Sequence, residues 1–355
     1  MRGKDNTRSA AEVLVDQLIA NGVRHAFCVP GESYLAVLDA FHDRNIAVTV
    51  CRQEAGAVIM AEAVGKLTGR PGVAFTTRGP GASNGMHGIH IAQQDSSPVI
   101  MFVGQIGRDM REREAFQELD YRAVFHSTTK WTTEIDDPAR IPELVSRAIY
   151  TTTTGRPGPV VMALPEDMLV ERIAIDDAPA AEPFETWPGL SEMAKLQKML
   201  WAAKRPVVLL GGSRWSEASH AAVARFAERF AVPVATSFRR AHLFDALHPS
   251  YAGDFGIGPN PKLLQYVKDS DLVILVGGRM GEIPSQSYSL FDIPSPQTQF
   301  VHVHPGAEEL GRVYHPTLAI NASPNAFAAA LEGMQPPNEI VWRDETKALH
   351  ESYLG

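Results

Sequence analysis

The chain has 355 residues, a length that predicts two or three domains. It is 45% hydrophobic and 21% charged, a balance that excludes wholesale disorder. Its 33 Lys and Arg against 41 Asp and Glu give a net charge of −8, which argues against nucleic acid or an anionic membrane as partner. Two cysteines, Cys28 and Cys51, are too few for a disulfide framework or a structural zinc site. Both end short apolar runs and read as buried thiols. No apolar run approaches the roughly 18 residues of a membrane span. The opening MRGKDNTRSA has no apolar stretch behind its charges, so it does not read as a secretory signal, and the expected compartment is the cytoplasm.

In chain order, residues 9–21 place Val13, Leu14, Leu18 and Ile19 near one helical face, with Ser9 as N-cap and Gly22 as the stop. Residues 23–29 predict a short strand ended by Pro30-Gly31. A helix over 35–43, a strand over 46–51 and an Ala-rich helix over 55–67, closed by Gly69, follow. Strands at 73–77, running into Arg78-Gly79-Pro80-Gly81, and at 99–103 come next. This alternation predicts a mostly parallel sheet with helices on both faces. Residues 139–150 read as a helix, and 155–165 as a Gly-Pro turn followed by a strand. The stretch 171–189 is acidic, rich in Ala and Pro, and without period, so it reads as a linker. A second α/β pattern has strands at 206–210 and 272–276, each ending in Gly-Gly, a helix at 218–230, and strands at 232–236 and 300–304. The last twenty residues are polar and carry no sheet pattern. The expected fold is α/β, with two doubly wound, mostly parallel-sheet domains at 1–170 and 190–335, a linker at 171–189 and a tail at 336–355.

Chemistry is sought first at the glycine clusters, since ligands of open α/β sheets bind beyond the carboxyl ends of strands. Pro30-Gly31, Gly79-Pro80-Gly81 and Gly277-Gly278 all fall there; taken singly, each reads equally as a tight connection, and none matches a phosphate-binding GxxxxGK[ST] loop. Glu54 opens the Ala-rich helix on the same sheet edge. By itself it reads as an acid that stabilises the helix dipole, worth about 0.3–1 kcal/mol. His87 and His90 lie on the helix after the second glycine cluster and read as core or surface residues, with an active-site position as the alternative.

The pieces VPGES (29–33), RQEAGAVIMAEAVGKLTG (52–69), TTRGPGASN (76–84), QDSSPVIMFVGQ (94–105), REAFQELD (113–120) and GRPGPVVMALPEDM (155–168) stand in a consistent order. Together they resemble the N-terminal, pyrimidine-binding domain of thiamine-diphosphate-dependent enzymes of the acetolactate-synthase-like group. RPVVLLGG, DLVILVGGRMGE and FVHVHPGAEELGR resemble the family's central, Rossmann-like domain. The resemblance implies that Glu54 hydrogen-bonds a ring nitrogen of the aminopyrimidine and shares its proton, and that Pro30 and Gly31 border that ring. It places Gly81, Asn84 and Gln105 at the cofactor pocket, Phe116 and Gln117 facing substrate with Gln117 in a catalytic role, and His87 beside them. Arg156 matches an arginine that touches FAD in flavin-containing members, so the resemblance leaves FAD open; a surface arginine is the alternative. His304 stands where many members have an aspartate, which puts nucleotide contacts in doubt.

The implied activity is carboligation: a 2-oxo acid is decarboxylated on thiamine diphosphate and the carbanion passes to an acceptor carbonyl, in a homo-oligomer. The alternatives are a 2-oxo-acid decarboxylase and a non-catalytic nucleotide-binding or assembly module. The family's Mg2+ site belongs to a third domain with a Gly-Asp-Gly motif, and Gly253-Asp254-Phe255 is the nearest string here. The chain is therefore expected to be a fragment or one half of a split enzyme.

Overall fold

Ser9 caps the first helix as its position predicts. It ends a two-residue strand, β1 (Arg8–Ser9), and its hydroxyl accepts from the Glu12 amide at the start of α1 (Ala10–Ala20). Glu12 returns the bond, accepting from the Ser9 amide at 2.7 Å. These elements belong to a computed structural model that describes residues 7–355, in which the chain divides into two units, one running to Pro183 and one over Phe184–Gly355. Residues 1–6, part of the opening segment that does not read as a signal, lie outside the described residues.

The first unit continues with β2 (His25–Cys28), α2 (Leu35–His42), β3 (Ala47–Val50), α3 (Glu54–Thr68), β4 (Gly72–Thr76), α4 (Pro80–Asp95) and β5 (Val99–Gln105). Then come α5 (Tyr121–Phe125), β6 (Trp131–Glu134), α6 (Ile141–Thr153), β7 (Pro159–Pro165), α7 (Glu166–Leu169) and β8 (Arg172–Ile173). Six strands form one parallel sheet in the order β3-β2-β4-β5-β7-β6. The central strands β4, β5 and β7 are buried along their whole length, which is why they read as unbroken apolar runs rather than alternating ones. One face packs Phe75 and Phe102 against Leu14, Leu18 and Val145; the other packs Met101 and Val161 with Val58, Ala61 and Ile89. The chain leaves β2 toward one edge and β4 toward the other, so the topological switch lies between the carboxyl ends of β2 and β4. That is where an open α/β sheet presents a crevice.

The segment expected as a linker over 171–189 is partly structured. β8 pairs antiparallel with β1, and the buried Gln17 exchanges two hydrogen bonds with Ala178, at 2.8 and 3.1 Å. Asn21 accepts from the Ala181 amide at 2.8 Å. The first unit thus extends to Pro183. Two amide side chains, one on α1 and one at its C-terminal cap, hold this stretch, a signal that composition cannot carry.

The second unit holds α8 (Leu190–Ala202), β9 (Pro206–Leu210), α9 (Glu217–Phe230), β10 (Val234–Ser237), β11 (Tyr251–Phe255), α10 (Pro261–Lys268), β12 (Leu272–Val276), β13 (Gln299–Val303), β14 (Leu318–Ile320), α11 (Pro324–Leu331) and α12 (Arg343–Leu354). Its six strands are parallel in the order β11-β10-β9-β12-β13-β14, with the switch between β9 and β12. The two Gly-Gly turns cross there: a Cβ on Gly212 would stand 2.0 Å from the Gly277 carbonyl oxygen. The expected tail, 336–355, is a packed part of this unit. Trp342 is buried and donates from Nε1 to the Phe230 carbonyl at 2.9 Å, and Thr346 donates to Ala231 at 2.8 Å. Among the described residues no helix is long and apolar enough to cross a membrane.

Candidate functional site

Glu54 is the first residue of α3, directly beyond β3. The preceding residue, Gln53, caps the helix by accepting from the Gly56 amide at 2.9 Å. The helix expected over 55–67, with Glu54 at its opening, runs over Glu54–Thr68, and Gln fills a cap position more often held by Ser, Thr or Asp. Glu54 is 8% exposed, and its Oε2 accepts from Asn84 Nδ2 at 3.0 Å. Asn84 lies one turn into α4, the helix that follows β4. The two helices that leave neighbouring strand ends thus meet through one carboxylate–amide contact.

Glycines shape the floor around this carboxylate. A Cβ on Gly81 would stand 2.6 Å from Thr77 Cγ2 and 3.2 Å from Glu54 Oε1. One on Gly31 would stand 2.4 Å from Thr77 Cβ. Only glycine lets the turns after β2 and β4 approach each other this closely. Thr77 is further held by a hydroxyl–hydroxyl contact to the buried Ser33 at 2.9 Å, and Tyr34 donates its hydroxyl to the Val29 carbonyl. The turn Val29-Pro30-Gly31 and the turn Arg78-Gly79-Pro80-Gly81 therefore form one rigid wall at the switch point. A buried carboxyl group with one oxygen held by an amide and the other beside a side-chain-free wall can hold a proton toward a ligand nitrogen.

Residues 8–124 match the model of the thiamine pyrophosphate enzyme N-terminal TPP binding domain, and residues 193–331 match that of the thiamine pyrophosphate enzyme central domain. The chain belongs to the thiamine pyrophosphate enzyme family. Among curated proteins it is 31% identical over 310 residues to a probable acetolactate synthase large subunit of Methanocaldococcus jannaschii, an overlap of 85% of this chain and 52% of that protein. It is 32% identical over 273 residues to an acetolactate synthase of Bacillus subtilis, covering 75% and 47%. With the acetolactate synthase isozyme 2 large subunit of Escherichia coli the identity is 27% over 348 residues, covering 97% and 62%. The chain spans about half the length of the curated relatives it matches.

In this member of the thiamine pyrophosphate enzyme family the remaining expected site residues separate into groups. Gln105 ends β5, buried, and its amide donates to the Leu119 carbonyl at 2.9 Å while its Oε1 accepts from the Ile106 amide. Gln117 lies against the second glycine turn: a Cβ on Gly79 would meet Gln117 Cβ at 2.8 Å. Phe116, beside it, is 76% exposed. Pro30, His87 and His90 are also exposed, the last two on the outer face of α4. Among the described residues none of these six side chains hydrogen-bonds Glu54, whose carboxylate accepts from Asn84.

Arg156 stands away from that cluster. Its Nε donates to Ser96 Oγ at 2.9 Å and its NH2 to the Gln93 carbonyl at 2.5 Å, so it caps the C-terminal end of α4. His304 accepts from the Gly306 amide at 3.0 Å, shaping the turn after β13. Asp254 lies in β11, within the second sheet. Sequence reasoning missed Thr77, Ser33 and Tyr121. Tyr121 accepts from the Gly79 amide at 2.9 Å and donates to the Gly104 carbonyl at 3.3 Å. Thr77 follows the apolar run of β4, which was an available signal; Ser33 and Tyr121 stand among polar residues and carried none.

Proposed function

We propose that this chain supplies the pyrimidine-binding and central parts of a carboligase of acetolactate-synthase type, acting on a 2-oxo acid and an acceptor carbonyl. The observation that carries this reading is the buried Glu54 at the switch point, oriented by Asn84 and walled by Gly31 and Gly81. Its donor set fits the aminopyrimidine of thiamine diphosphate: a carboxyl group for a ring nitrogen, and glycine backbone where a flat ring needs room. When bound, that cofactor supplies the carbanion chemistry. The chain's part is to hold a proton at the Glu54 carboxyl, to keep that carboxyl oriented through Asn84, and to border the ring with Pro30 and Gly31. Phe116 and Gln117 are assigned to the substrate side, with Gln105 behind them and His87 on the neighbouring helix face.

Mg2+ enters this proposal as the counter-ion of the diphosphate. FAD stays open: Arg156 bonds the end of α4 and His304 shapes its own turn, and no role is derived for a flavin. We further assign a homo-oligomer, and a cytoplasmic location consistent with two free cysteines.

Glu54→Gln tests the reading. The swap is nearly isosteric, so the thermal unfolding transition is expected to stay in place. In the cofactor-loaded enzyme, proton exchange at the thiazolium carbon, followed by NMR, is expected to fall by about a hundredfold or more. Wild-type exchange in a folded, loaded variant would refute the role of Glu54.

A further inference from the structure

The loop over 106–120, between β5 and α5, carries Phe116 and Gln117. It contains three non-glycine residues with left-handed backbone: Glu112 at φ 60°, Glu114 at 53° and Gln117 at 66°. Such backbone persists only where the surroundings over-determine it. Here they do. The Glu118 carboxylate accepts from the Glu112 and Ala115 amides at 2.8 and 3.1 Å, folding the loop on itself. Gln105 holds its far end at Leu119, and Tyr121 ties the start of α5 to Gly79 and Gly104.

Two arginines then fasten the loop to the carboxyl edge of the sheet. Arg108 donates to Asp167 from Nε at 2.8 Å and from its backbone amide at 3.0 Å, and it also pairs with Glu171. These acids are well exposed, and such pairs contribute little. Arg111 pairs with Glu134, the last residue of β6, and with Asp136. Glu134 is different: its side chain is 16% exposed. Burial pushes its carboxyl pKa up, while Arg111 pulls it down, and Gln105 and Arg122 also face it. Arg111 is itself 35% exposed, so the pair is half-buried; removing Arg111 still leaves the more deeply placed Glu134 carboxylate less compensated, which costs more than losing an exposed pair. The Arg111–Glu134 contact is thus the strong anchor of the loop.

We propose that Arg111 and Glu134 are positioning residues: their ion pair sets the loop so that Phe116 and Gln117 stand at the substrate side of the Glu54 site. The assignment of a substrate side rests on the function proposed above. Neither residue touches the reacting atoms; both act through the loop. The glycine turn keeps its own support, since the Gly79 amide donates to Tyr121 at 2.9 Å, so a displaced loop moves Phe116 and Gln117 and leaves the wall around Glu54 in place.

The test uses hydrogen–deuterium exchange of the 355-residue chain, comparing wild type with Arg111→Met, Glu134→Gln and the double variant. Each single variant is expected to lower protection across 106–120 by roughly tenfold, with 99–105 and 159–165 unchanged. The double variant is expected to lose no more than the worse single one, because both remove the same pair. Arg111→Lys, which keeps the charge, is expected to recover part of the protection. In the cofactor-loaded enzyme, Glu134→Gln is expected to raise KM for pyruvate by roughly tenfold with kcat within about twofold. Unchanged loop protection, additive losses, equal loss in the core strands, or loss of loop protection without a change in KM would each overturn the proposal. Failure of the Glu54→Gln test would instead strike the proposed function and leave the exchange result standing.

Discussion

Glu54 and His302 are both buried, titratable and bonded to one neighbour, yet the sequence distinguishes them poorly. Glu54 stands out through its place at a strand end, beside two glycine turns that the structure brings together. Its partner Asn84 is legible only through family likeness, since it lies thirty positions along the chain. His302 lies inside β13, and its Nε2 donates to the Gly278 carbonyl at 2.9 Å. Burial pushes its imidazole pKa down, with the Gly278 contact opposing. The unfolded imidazole titrates near about 6.5, so as pH falls below that value the unfolded chain takes up a proton that the folded chain resists. The second unit should therefore lose stability on acidification from about 6.5 downward. Burial acts on His220 in the same direction, so one variant should remove only part of the slope. We expect His302→Gln, whose amide can still reach Gly278, to flatten the dependence between neutral and mildly acidic pH. Urea unfolding at two pH values reads this directly; an unchanged slope would show that His302 is not the titrating group.

At the scale of elements, most helices and strands were legible because their signals are local. Ser9 and Glu12, the Gly69 stop and the apolar runs of β5 and β7 each sit within a few residues of the feature they set. No expectation covered β6, α8, β11, α10, β14 or α11, and the two segments read as linker and tail depend on distant partners. Residues 171–183 are held by Gln17 and Asn21, and α12 is held by the carbonyls of Phe230, Ala231 and Tyr251. Those carbonyls end α9 or begin β11, and nothing in a polar C-terminal sequence advertises them. Trp342 is the anchor, fully buried with its indole N–H satisfied. Trp342→Ala removes both the ring and that donor, and should destabilise the second unit by about 3–5 kcal/mol. Denaturant unfolding followed by circular dichroism is the measurement. A loss below about 1 kcal/mol would mean that α12 contributes little to this unit.

At the scale of the molecule, two parallel sheets each place glycine turns at their switch points, but the turns serve different ends. In the first unit they wall a buried carboxylate; in the second they let two strand ends cross. The first unit also leaves a surface unexplained by its own core. α3 buries Ala57, Val58 and Ala61 but exposes Met60, Ala63 and Leu67, which share one helical face by their spacing of three, four and seven, with Ile59 four residues before Ala63 beside them. Met60 is 46% and Leu67 62% exposed, and Val50, at the end of the edge strand β3, is 65% exposed. This face lies on the helix that opens with Glu54, so a partner seated there would sit beside the proposed site. Closed homo-oligomers reuse one self-complementary patch, and small residues such as Ala63 allow helices to approach closely. We expect the 355-residue chain to be at least dimeric at tens of micromolar by light scattering. Met60→Glu with Leu67→Glu should shift it to monomer while leaving its circular dichroism unchanged, since both side chains point away from the core. A strictly monomeric wild type would refute the oligomer, and a double variant that stays dimeric would move the interface away from α3.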